Sequence, residues 1–348
     1  MPAALLLAAA LGDTISIAGP ASCPRCRIVP KPMAVLGPVD GILLDYGAFS
    51  FVRLKDGRFL VTGFARPGTI AVFGSDGRWQ RDLGRRGGGP GEYQNPVRLS
   101  AWVGDSILVL DAGLSRVSVL GPDLRFARLF PLTVPHTRLL GLPGGTIVLS
   151  SPPGSERGMT ALDPAGRPIA AFGPTVDPNG LDFQRELTRG PSGTVLTGRV
   201  DRYDIEEFTT RGEARRLVRR PVPWFPPADS RHLGDEAVEP TPPASAGILS
   251  GGDGLVWHLT AVTRMPFKAP VIRGVDGKNE VDMGLLLAGK DTRVELLDLR
   301  KGQVVASGTA TGLLWPGDTS PLVARLHDDA SRGPVVEILE LKVEPPNR

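Results

Sequence analysis

The sequence predicts an all-β fold of short antiparallel strands, and three observations carry that reading. First, 44 Gly and 34 Pro make up 78 of the 348 residues, nearly double the ~12 % of average usage; this disfavours long helices and calls for many turns. Second, 41 % of the residues are hydrophobic and fall in short Val, Leu and Ile runs, which excludes a disordered chain; Gly does not recur at every third position, which excludes a collagen-like one. Third, two strand-turn-strand units recur along the chain, the mark of a repeat architecture.

One unit is an alternating apolar strand closed by a tight turn, Ile70-Ala71-Val72-Phe73-Gly74-Ser75-Asp76-Gly77-Arg78, with copies starting at Val117, Met159, Ile205 and Val294. The other is Leu54-Lys55-Asp56-Gly57-Arg58-Phe59-Leu60-Val61, with copies starting at Val103, Leu142, Gly190, Gly251 and Trp315. Each unit is a hairpin signal, and two consecutive hairpins form a four-stranded antiparallel meander, the blade of a β-propeller. Six copies of one unit against five of the other give a six-bladed β-propeller whose last blade lacks a strand.

The stretch Arg27-Ile28-Val29-Pro30-Lys31-Pro32-Met33-Ala34-Val35-Leu36 supplies that strand. The ring is then closed by the N-terminal strand pairing with the C-terminal blade, which leaves no open sheet edge. Pro30 and Pro32 suit an outermost strand, because proline has no N–H to give to a further neighbour. Residues 1–26 are expected to be a signal or anchor segment, residues 27–343 a single propeller and residues 344–348 a tail. Two inserts interrupt the repeat, a Pro-rich segment at 221–244 and a longer one at 263–292 inside blade five; long ordered inserts are where lids and partner contacts are sought.

Net charge is +3, too small a surplus for a nucleic-acid partner without a concentrated basic stripe. The arginines of residues 215–220 are interrupted by Leu217 and Val218, as on a solvated strand. The apolar run at residues 3–11 is too short to span a bilayer and suits a signal-peptide core, although no basic residue precedes it. Pro20-Ala21-Ser22-Cys23 resembles a bacterial lipoprotein cleavage box, with Pro20 where that pattern has an aliphatic residue. Cys23 and Cys26 therefore have two readings, a small disulfide or a lipidated Cys23 beside a spare thiol; no further ligands nearby complete a zinc site. The expected location is secreted or periplasmic, with outer-membrane attachment through Cys23 as the lipoprotein variant, and the expected state is a monomer.

The segment Arg85-Arg86-Gly87-Gly88-Gly89-Pro90-Gly91-Glu92-Tyr93-Gln94-Asn95-Pro96 falls between an outer and an inner strand. It resembles the inter-blade segment of NHL-repeat propellers, and with the hairpin repeats the chain resembles the NHL-like six-bladed propellers of bacterial secreted proteins and lipoproteins. The resemblance implies the fold and a cell-envelope location, with chemistry that varies within the family. The glycines are expected to serve the chain crossing rather than phosphate binding, since no helix N-terminus follows them.

Propellers bind at the channel mouth, where the innermost strands begin. Equivalent positions counted from the second strands are Ser50, Arg98, Arg138, Glu186, Gly247 and Leu313. Arg98, Arg138 and Glu186 give a polar, partly cationic mouth suited to an anionic ligand or an acidic partner loop; the competing reading is that these charges pair with one another. His136 is the best placed of His136, His232, His258 and His327, none of which has metal-ligand spacing. No Gly-x-Ser-x-Gly elbow or P-loop occurs. The expected function is a binding or scaffold propeller for a protein, peptide or glycan, without a cofactor or metal. The alternative is a metal-dependent propeller enzyme, lactonase- or lyase-like, with one divalent cation in the channel near His136.

Overall fold

A computed structural model describes residues 12–37, 42–174, 185–225, 242–266, 271–273, 279–281, 287–318, 321–329 and 333–346. His232, most of the Pro-rich insert and Leu285-Leu286 of the second insert lie outside the described residues.

The chain folds as six four-stranded antiparallel blades in a propeller ring. Blade one is Ser50–Arg53, Phe59–Thr62, Ile70–Phe73 and Trp79–Leu83. Blade two is Pro96–Ala101, Ile107–Asp111, Arg116–Leu120 and Phe126–Pro131, and blade three is Leu139–Gly141, Ile147–Ser150, Met159–Leu162 and Pro168–Phe172. Blade four is Arg185–Arg189, Val195–Arg199, Asp204–Phe208 and Ala214–Arg219; blade five is Ala244–Gly252, Leu255–Thr263, Lys290–Asp298 and Gln303–Ala310. Blade six is Leu314–Pro316, Leu322–Asp329 and Gly333–Glu344, completed by Arg27–Leu36.

The closing strand pairs antiparallel with Gly333–Glu344, with Pro30 opposite Leu341 and Pro32 opposite Leu339. Their missing N–H groups face outward on the ring's rim, as the proline argument requires.

Period-2 alternation distributes each middle strand between two neighbours. Leu108 and Leu110 pack into the cluster shared with blade three, while Ile107 and Val109 pack into the one shared with blade one. Six such clusters occur, one at each interface around the ring. Strands covered on both faces therefore read as continuous apolar runs, whereas the outermost Trp79–Leu83 is largely exposed.

The outer hairpins lock consecutive blades by close backbone approach. Gly77 (φ +81°) of blade one lies under the carbonyl of Val35 in blade six, and a Cβ there would fall 2.0 Å from that oxygen. Gly166 (φ +83°) of blade three sits against the Phe130 ring of blade two, where a Cβ would come within 2.5 Å. A side chain at either place would meet both a backbone conformation unfavourable to L-residues and an occupied neighbour.

Packing extends upstream of residue 27, into the stretch read as a signal or anchor segment. Asp13–Ser16 adds a parallel fifth strand to blade four, in register with Arg216–Arg219. Ile17 is buried at 1 % exposure in the cluster between blades four and five. The N–H groups of Ser22 and Cys23 donate to the Val304 and Val305 carbonyls of blade five at 2.8 and 3.1 Å. Cys23 and Cys26 form a disulfide just before the closing strand. Residues 13–36 thus lace the outer edges of blades four, five and six in succession.

The second and third strands of blade five, Leu255–Thr263 and Lys290–Asp298, are separated by a segment that includes a small hairpin of Val271–Arg273 and Asn279–Val281. Gly77→Ala is expected to lower stability by ~1–3 kcal/mol, more than Gly193→Ala, where φ is +78° but nothing lies within 4 Å; thermal unfolding of the two variants checks the difference.

Candidate functional site

The first residues of the inner strands converge on one mouth of the central channel, and the turns joining inner to second strands form the opposite, lower face. The cavity at the mouth is about 80 Å³ and is lined from all six blades, including Ser50, Arg98, Arg138, Glu186, Ile248 and Trp315. The first four blades place there the residues counted from the sequence. Blades five and six differ: Ala246 and Ile248 flank the expected Gly247, and residues 315–318 line the cavity in place of Leu313. A register shift between Ser245 and Gly247 accounts for the first, and the short inner strand Leu314–Pro316 for the second.

Arg138 and Glu186 are paired. The Arg138 Nε and Nη2 donate to Glu186 Oε1 at 2.8 and 2.7 Å, with both side chains less than one-fifth exposed. Arg98 is held differently, by three carbonyls: its Nη1 donates to Val97 O at 2.6 Å, Phe49 O at 3.2 Å and Gly47 O at 3.4 Å. Its Nε and Nη2 have no protein partner among the described residues. Burial, then the like charge of Arg138, pushes the Arg98 guanidinium down to about 9, so it stays cationic at neutral pH. Asp45, a more distant carboxylate, accepts from the Gly47 and Ala48 N–H groups through Oδ1 at 2.9 and 3.2 Å. The mouth therefore sets one guanidinium–carboxylate pair beside a second guanidinium, Arg98, whose Nε/Nη2 edge is open.

The cavity floor is a polar plug that sequence reasoning missed. Asp318 crosses from blade six: its Oδ1 accepts from Ser100 Oγ at 2.6 Å and its Oδ2 from the Ala101 N–H at 2.9 Å. Arg189 of blade four reaches the same point, donating from Nη2 to Asp318 Oδ2 at 3.0 Å and Ala101 O at 2.8 Å, from Nη1 to Asp318 O at 2.9 Å and from Nε to Gly141 O at 2.9 Å. Four blades meet in this one network.

Inner-strand hydroxyls satisfy the channel-facing edges of neighbouring blades. Ser50 Oγ accepts from the Leu99 N–H at 3.1 Å, Ser100 Oγ from Gly141 at 2.9 Å and Thr188 Oγ1 from Ser250 at 3.2 Å. These strands splay around a channel and cannot complete a ladder with one another, so side chains supply the missing acceptors. Ser and Thr within otherwise apolar inner strands were the available signal.

His136 is not at the mouth. It is 6 % exposed, shares a 2.5 Å hydrogen bond between Nδ1 and the Ser150 carbonyl, and lines a separate cleft with Leu132, Ser151 and Thr160. The inner strand starts only at Leu139, so the two-residue spacing from Arg138 is not that of a strand face. Burial lowers its proton affinity. His258 is a buried seam residue between blades four and five, stacked on Tyr203 at 3.9 Å and within 3.3 and 3.2 Å of the Ser245 and Thr260 hydroxyls. Tyr203 donates to Glu295 Oε2 at 2.6 Å, and Arg220 pairs with the same carboxylate at 3.0 Å while holding the Ile17 carbonyl at 3.0 Å. His136 and His258 are thus not gathered at the channel.

The Gly-Pro-Gly-Glu segment receives a cation. Arg116 donates to the carbonyls of Gly88, Gly89 and Glu92 at 2.8, 2.9 and 2.5 Å, while Glu92 Oε2 accepts from the Gly89 N–H at 2.8 Å. Tyr93, 1 % exposed, anchors the crossing between blades one and two. The glycines serve this crossing, with their carbonyls turned to a guanidinium.

No protein-family model matches the chain, NHL repeats included, and no curated protein matches it. Solved structures share its fold. A Bacteroides fragilis protein described as exported has a TM-score of 0.60 at 12 % identity, covering 95 % of this chain and 100 % of that one. A DUF4221-family member from Bacteroides vulgatus has 0.59 at 11 % identity, covering 92 % and 99 %. At these identities the likeness shows the propeller alone.

Two outcomes follow from the plug and the seam. Asp318→Ala leaves Arg189 uncompensated and is expected to cost ~3–5 kcal/mol, much of it recovered in the Arg189→Met, Asp318→Ala double variant; denaturant titration of the cycle reads this. Burial holds His258 down at about 3 against its ordinary 6.5, so the unfolded chain takes the proton first as pH falls. The stability from a neutral His258 is complete above 6.5 and is lost progressively toward about 3. His258→Phe is expected to flatten the urea midpoint against pH across that window.

Proposed function

We propose that the chain is an exported binding propeller whose channel mouth receives one small anionic group, a carboxylate or phosphate, presented by a partner protein or ligand. The observation that carries this reading is the open Nε/Nη2 edge of Arg98 over a cavity lined from every blade. A planar guanidinium edge is suited to bidentate contact with an oxyanion, and with Glu186 bonded to Arg138 no carboxylate among the described residues reaches Arg98 at ion-pair distance. A cavity of about 80 Å³ is well below the ~300–1,000 Å³ of drug-sized ligand sites. It takes an acidic side chain or terminal group, while the body of a peptide, protein or glycan rests on the rim.

Export is supported by the apolar run near the N-terminus and by the Cys23–Cys26 disulfide, a bond favoured in oxidising compartments; one fold neighbour is also described as exported. With Cys23 Sγ in that bond, the reading places no lipid on it. The metal-dependent enzyme reading needs His136 beside the channel carboxylate, and His136 and Glu186 line different cavities.

Calorimetric titration with a penta-glutamate peptide and with inorganic phosphate tests the proposal. Saturable binding is expected, weakened about tenfold or more by Arg98→Ala, an energy of about 1.4 kcal/mol, and partly restored by Arg98→Lys. Equal affinity of wild type and Arg98→Ala for both probes would overturn it.

A further inference from the structure

A second cleft lies on the opposite face from the mouth, and no sequence motif pointed to it. It measures about 470 Å³ and is framed by the turns between the inner and second strands of blades one, two and three. That volume is within the range of small-molecule sites. Arg189 lines it and Asp318 lines the mouth cavity, so their ion pair separates the two spaces.

Its walls are apolar and held in place. Leu54, Trp102, Val103, Leu142 and Pro143 contribute to them. Trp102 donates its indole N–H to the Gly145 carbonyl at 3.1 Å, and the Arg128 guanidinium lies over its ring at 5.6 Å. Gly141 admits that ring: a Cβ there would stand 2.9 Å from Trp102 Cδ1. The aromatic wall is thus fixed by a hydrogen bond, a cation and close backbone packing before any ligand arrives, which limits the ordering cost of binding.

The charges of the cleft cancel in pairs, with one exception. Lys55 pairs with Asp105 at 2.7 Å, Arg58 with Asp56 at 2.7 Å and Arg189 with Asp318 at 3.0 Å. Arg53, exposed at the end of the inner strand of blade one, has no carboxylate partner among the described residues. An apolar cleft with a fixed indole and a single unmatched guanidinium selects for one negative charge on an apolar body.

We propose that this lower cleft is a second ligand site, for a small amphipathic organic anion: an aromatic or alkyl body bearing one carboxylate or sulfonate. The body lies against Trp102 and Leu142 and the acid group faces Arg53. The site is independent of the mouth and stands whether or not Arg98 receives an anion.

Fluorescence titration of the full chain with anilinonaphthalene sulfonate, alongside the neutral dye Nile red, tests the assignment. One saturable site shared by the two dyes is expected at the lower cleft. Arg53→Glu weakens it about tenfold or more while leaving Nile red affinity unchanged, and Arg53→Lys retains most of it. Val103→Glu, at a wall position that is 40 % exposed, weakens both dyes, and Arg98→Ala alters neither. Unchanged thermal midpoints of these surface variants confirm that folding is not the cause. The proposal is overturned if Arg53→Glu leaves sulfonate affinity unchanged, if it weakens Nile red equally, or if Arg98→Ala abolishes the sulfonate site.

Discussion

Asp318 is the constraint around which the ring is organised. Six wedge-shaped sheets can be pressed together by apolar interfaces at their flanks, but those interfaces say nothing about what fills the axis. One carboxylate from blade six takes a hydroxyl and an N–H from blade two and a guanidinium from blade four, and that guanidinium also binds blade three. Its side chain is 6 % exposed. Such a charge is tolerable only because every contact is a donor, so the positions of Ser100, Ala101 and Arg189 are fixed together. Everything above it becomes the mouth cavity, and everything below it the lower cleft.

The architecture was legible because its determinants are local and repeated. Gly77 and Gly166 each sit in a tight turn a few residues from the strands they join, and the same spacing recurs around the chain. The closing strand was legible from Pro30 and Pro32, since proline restricts the positions open to a strand. The plug was not legible. Asp318 is 218 residues from Ser100 and 129 from Arg189, and its own stretch reads as one more hairpin turn. Counting along strands located Arg98, Arg138 and Glu186, where the register is regular, and missed the lining of blades five and six, where a bulge and a three-residue strand break it. His136 was misplaced for a related reason: spacing identifies a shared face only inside a strand, and the strand had not yet begun.

Polar groups do two kinds of work here. Some complete the fold: Arg116 fills the carbonyls of the Gly-rich crossing, Arg220 ties the N-terminal lacing to Glu295, and inner-strand hydroxyls satisfy the channel edges. In each of these the chain itself supplies most of the partners; the buried Arg116 Nε has none among the described residues. Arg98 and Arg53 are different, because each keeps a cationic edge after the neighbouring charges have been matched. Arg98 lines the mouth cavity and Arg53 the lower cleft, one on each side of the Arg189–Asp318 pair.

A crystal structure of the protein soaked in bromide tests the account most directly, since anomalous scattering locates the anion without presuming a ligand. The account predicts a bromide within contact distance of Arg98 Nε or Nη2, above an intact Arg189–Asp318 pair that closes the channel. An open channel with Asp318 withdrawn from Ser100, or bromide ordered elsewhere with none at Arg98, would contradict it.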